Sequence, residues 1–72
     1  MREKVIAMLE EVLNLQEGTI TTETKIEDVD DWDSLAHVMI IGELEERFGI
    51  SIPLDEAIEL TSVGELFEKG GI

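Results

Sequence analysis

The sequence predicts an all-α fold, a small antiparallel bundle of three main helices and one short one. Three observations predict it. Apolar residues recur at three-four spacing in two long stretches, and helix-start and helix-stop residues punctuate the chain. The only alternating segment, Ile50-Ser51-Ile52-Pro53, is too short for a sheet and has no partner strand.

Taken in order, residues 2–15 place Val5, Ile6, Met8, Leu9, Val12 and Leu13 on one arc. Glu3, Lys4, Glu10 and Glu11 fill the opposite one, which predicts an amphipathic helix stopped near Gly18. Residues 17–32 read as a long loop. Thr19, Thr21, Thr22 and Thr24 favour side-chain-capped or extended backbone, and Ile20, Ile26 and Val29 tack the segment to the core. A loop this long in so small a domain is uncommon and often functional.

The second helix is expected over residues 34–48 and ends at Gly49. At 100° per residue, Ile40, Ile41, Leu44 and Phe48 fall on a core-facing arc. Leu35, Val38, Met39 and Gly42 fall on the far side with Glu45 and Glu46. Two readings stay open here: an exposed apolar patch for a partner, or a second buried arc covered by the loop. Pro53 starts a short helix over residues 54–59. Ser62-Val63-Gly64-Glu65 fits a capping box opening a last helix over residues 63–69, closed by Gly70-Gly71. The 72 residues make one domain.

Charge narrows the function. Eighteen acids against five basic residues leave a net charge of −13, which repels phosphate backbones and anionic membrane surfaces alike. Such a field instead steers basic protein partners into encounter. An apolar content of 43% is too high for a disordered acidic tail. The first ten residues interleave acids with apolar residues and make no signal peptide, and no run reaches membrane-spanning length. A cytoplasmic monomer, with neither nucleic-acid binding nor membrane insertion, is the expectation.

The chemistry-bearing residues converge on Asp30-Asp31-Trp32-Asp33-Ser34-Leu35, where acids give way to an apolar helix. Asp33 is placed to cap that helix and Ser34 to open it. A serine nucleophile needs a base and an oxyanion hole, but the flanks lack an elbow's glycines. The sole histidine, His37, falls among core-facing positions, where a half-buried structural role is the stronger reading. A calcium loop begun at Asp28 would need glycine at Asp33 and glutamate at Met39, so no dedicated metal site is expected. Without cysteine there is no thiolate chemistry either. What remains is Ser34 as a first-turn serine of no special role or as a point of covalent attachment.

Asp33-Ser34-Leu35, then an apolar-acidic helix, Gly49-Ile50-Ser51-Ile52-Pro53 and Thr61-Ser62-Val63, resemble the acyl carrier protein family over nearly the whole chain. The resemblance implies that Ser34 receives 4′-phosphopantetheine from coenzyme A through a phosphopantetheinyl transferase. The arm would carry an acyl or aminoacyl thioester to the loading, condensing or transferring enzymes of fatty-acid, polyketide or related biosynthesis. It implies no catalysis by the chain itself. It puts partner recognition on Val38, Met39, Glu45 and Glu46, with Asp33 and Leu35 flanking the serine, and basic patches on the partners. It also implies that the bundle can shelter a bound chain. Asp31 stands where relatives often have glycine and Trp32 fills the intervening position, while Ala36 and Met39 replace acids usual in bacterial fatty-acid carriers. These departures point toward a specialised stand-alone carrier. The alternative is an acidic adaptor of the same fold, without an arm, that binds a basic partner through residues 35–46.

Overall fold

Three longer helices and one short one follow each other in the computed structural model, which describes residues 1–72: α1 over Arg2–Val12, α2 over Ser34–Phe48, α3 over Leu54–Ala57 and α4 over Val63–Gly70. There is no strand; Lys25 and Ser62 form an isolated antiparallel bridge. Val5, Met8 and Leu9 of α1, Ile40 and Leu44 of α2, and Val63, Leu66 and Phe67 of α4 share one buried core.

The first helix is shorter than its periodicity suggests, ending at Val12 and not at residue 15, and its stop is Asn14 and not Gly18. Asn14 takes the left-handed conformation at φ 58°. This lets Leu15 N–H reach Glu10 O at 2.8 Å and Asn14 N–H reach Glu11 O at 3.2 Å, a Schellman closure that satisfies two orphan carbonyls. Asparagine tolerates that conformation better than most non-glycine residues, so it can do glycine's work. Gly49 closes α2 in the same way at φ 67°, with Ile50 N–H on Leu44 O and Gly49 N–H on Glu45 O.

Glu10 departs from the amphipathic reading most sharply. It lies on the nominally polar arc, yet it is only 5% exposed. Its Oε2 accepts the N–H groups of Gly18 and Ile20, each at 3.0 Å, so the carboxylate replaces water for a loop backbone that folds over it. Ile20 is thereby carried into the core.

The segment between α1 and α2 is anchored again further on. A 3₁₀ turn over Ile26–Asp28 interrupts what the sequence suggests is plain loop. Around it, Ile26 N–H donates to Thr61 O at 2.9 Å and Val63 N–H to Thr24 O at 3.0 Å. Gly64 makes this close approach possible, since a Cβ there would lie 3.0 Å from Thr22 O.

At the far end, α3 ends at Ala57, two residues short of the expected limit, and α4 runs one residue further, to Gly70. Ser62 Oγ accepts Glu65 N–H at 3.2 Å. Glu65 does not complete the reciprocal capping box on Ser62. Its Oε1 accepts the hydroxyl and the N–H of Thr61, at 2.6 and 2.7 Å. The Thr61 hydroxyl, with its N–H, holds the Glu65 carboxyl below its ordinary value.

Candidate functional site

Asp33 and Ser34 divide the start of α2 between them. Asp33 sits in extended backbone as the N-cap, and its Oδ1 accepts Ala36 N–H at 2.8 Å. The first intrahelical bond, His37 N–H to Asp33 O at 2.9 Å, follows. Ser34 is therefore the first helical residue with no capping duty; it is exposed, and no hydrogen bond within the chain engages its hydroxyl. The amides of Ser34 and Leu35 precede that first bond, at the positive end of a 15-residue helix.

His37 is not a base for Ser34. Trp32 Nε1–H donates to His37 Nδ1 at 3.0 Å, which fixes the tautomer and leaves Nε2–H to donate to Ala57 O at 2.7 Å. Both ring nitrogens are committed, and the ring ties the loop to α2 and α2 to the end of α3. It sits half-buried, where the helical wheel places it. The sequence reading treats Trp32 only as a departure from a family pattern; in the structure it is 5% exposed and one of the core residues. The signal available was the sole tryptophan, an expensive residue to leave in water beside three aspartates.

The outer side of α2 resolves the two readings of its second arc. Leu35 is 70% exposed, Val38 60% and Met39 50%, so nothing in the chain covers them. Glu45 and Glu46 are exposed beside them. The one cation of α2, Arg47, turns away to pair with Glu11 at 2.9 Å and Glu43 at 3.1 Å. Of the expected core arc, Ile40 and Leu44 are fully buried, while Ile41 and Phe48 are only half-buried. Two apolar residues that the sequence reading did not single out, Leu54 and Ile58, are exposed on and just after α3. With Val38, Ile41, His37 and Trp32 they line a mainly apolar groove of about 470 Å³ that opens beside Ser34. No group of three or more acidic or histidine side chains converges as a metal site, and Asp28, Asp30, Asp31 and Asp33 do not form one.

Comparison with known proteins bears on this arrangement directly. The family described as the phosphopantetheine attachment site matches residues 3–68. The acyl carrier protein of Rubrobacter xylanophilus is 37% identical, over 89% of this chain and 84% of its own. That of Rickettsia canadensis is 38% identical, over 94% and 79%. The solution NMR structure of the holo acyl carrier protein from Geobacter metallireducens superposes with a TM-score of 0.83 at 30% identity, covering 97% of this chain and 80% of that one. An all-helical fold, an exposed helix-opening serine and these relatives agree: the chain belongs to the acyl carrier protein family, whose domain bears a phosphopantetheine arm and acts as a carrier, not as a catalyst.

Proposed function

We propose that the phosphopantetheine arm is joined through a phosphodiester to Ser34 Oγ. On this reading the chain presents acyl or aminoacyl groups to enzymes of fatty-acid, polyketide or related biosynthesis. The observation that carries it is the division of labour at the start of α2: Asp33 caps the helix, so Ser34 keeps a free, exposed hydroxyl. The residues present suit the group. An anionic phosphodiester at Ser34 meets the unpaired amides and positive dipole of the first turn. When bound, the arm supplies a terminal thiol on which a carboxylic acid is held as a thioester.

The family works with a phosphopantetheinyl transferase and with biosynthetic enzymes. For this chain we assign recognition by them to Leu35, Val38 and Met39 as the apolar contact. Glu45 and Glu46 form the acidic rim that a basic patch would meet. No helix is long and apolar enough to cross a membrane. A monomer working in the cytoplasm fits a surface this acidic, which keeps copies apart.

The test is intact-protein mass after incubation with coenzyme A and a broad-specificity phosphopantetheinyl transferase. Wild type should gain the mass of one arm and Ser34→Ala should gain none. An unchanged wild-type mass, under conditions that modify a proven carrier, would leave an acidic adaptor of the same fold as the better reading.

A further inference from the structure

Two cavities share part of their lining. The groove beside Ser34 and a second cavity of about 560 Å³ on the loop side share three lining residues, Ile26, Trp32 and Leu60. They differ in character. The groove is walled by Val38, Ile41, Leu54 and Ile58, whereas the second cavity adds one apolar residue, Val29, and four polar ones, Lys25, Glu27, Asp30 and Thr61. Trp32, the largest of the three shared residues, separates them together with Ile26 and Leu60.

That partition is braced. The indole N–H is held by His37 at 3.0 Å, and His37 is held in turn by Ala57 O at 2.7 Å. Swinging the indole aside would strand a buried donor and unpin α3 from α2. An apolar chain entering from Ser34 gains contacts along the groove until it reaches Trp32. Beyond it lies the second cavity, half of whose lining is polar.

We infer that Trp32, positioned by His37, sets the length of acyl chain this carrier can shelter: short chains seat in the groove, and the excess length of longer ones stays outside it. The inference rests on attachment at Ser34. Trp32 acts here as a specificity-determining residue and His37 as its positioning residue.

The experiment loads the chain with arms bearing acetyl, butyryl, octanoyl and palmitoyl groups, and follows two readouts. Melting temperature reports sheltering, because a chain seated in the native state but not the unfolded one stabilises the fold. Trp32 fluorescence, from a protein with one tryptophan and no tyrosine, reports arrival at the partition. In wild type both signals should grow with chain length and level off before palmitoyl. In Trp32→Leu, and in Trp32→Ala if it folds, the melting temperature should go on rising to palmitoyl. His37→Gln keeps the probe while loosening the brace; it should move the plateau to longer chains and shift Trp32 emission to the red. Loaded wild type whose melting temperature climbs steadily to palmitoyl, or variants with an unchanged length profile, would overturn the inference alone. Failure to load any arm would overturn attachment at Ser34 and the inference with it.

Discussion

The two faces of α2 are made of the same kind of residue and put to opposite use. Inward, Ile40 and Leu44 lose all contact with water; outward, Leu35, Val38 and Met39 keep half or more of theirs. Burial of an aliphatic side chain is worth about 1.5–3 kcal/mol, so the outer face leaves a sizeable stabilisation unrealised in a domain that has little to spare. Gly42 adds to the asymmetry. A Cβ there would meet nothing within 4 Å, so no packing inside the chain requires glycine at the middle of this helix. The lesson is that the inner face carries the fold and the outer face adds little to it.

The sharpest way to break that comparison is to truncate matched residues across it. Leu44→Ala should cost about 2–5 kcal/mol by cavity formation, read by urea or thermal unfolding. Val38→Ala should stay within about 0.5 kcal/mol of wild type. Equal losses at the two positions would mean that the outer face is covered in solution.

Below these comes Glu10. Replacing it with Ala strands the buried amide of Ile20 and the partly buried one of Gly18, and should cost about 1–3 kcal/mol, measured by the same unfolding curves. Glu3→Ala, on the exposed part of the same helix, serves as the control and should change almost nothing. A smaller effect on stability than at Leu44 or Glu10, and the most informative about use, is at Gly42. Gly42→Ala should stabilise the fold by about 0.5–1 kcal/mol through helix propensity. If the outer face is a docking surface that a partner approaches closely, the same change should slow arm transfer. Glu46→Lys should slow it too, with the circular dichroism spectrum unchanged.

How much of this was legible depended on how local each determinant is. The extent of α2 and the cap at Asp33 follow from spacing and from one aspartate, which are properties of a few adjacent residues. Asn14 was harder, because glycine is the commoner helix stop and Gly18 stood nearby as a decoy. Glu10 was out of reach: nothing in its own helix shows that a loop eight to ten residues later will lower two amides onto its carboxylate. Trp32 and His37 depend on a third group, Ala57 O, twenty residues beyond the histidine. Leu54 and Ile58 sit in too short a helix for periodicity to assign them a face. At the site, the place of Ser34 as an exposed, helix-opening residue was legible from its setting, and its groove was not, because the walls come from the loop, α2 and the α3 region.

The repeated anchoring of the first loop has a mechanical consequence. Glu10 pins it at Gly18 and Ile20, the bridge to the start of α4 pins it at Thr24–Ile26, and the indole of Trp32 pins it one residue before the helix cap. A segment whose only regular structure is one 3₁₀ turn is thus tied down at three places before it reaches Ser34. With the arm attached at Ser34 as proposed, the reach of a carried group would come from the arm itself, and a partner enzyme would meet the same pivot at every visit.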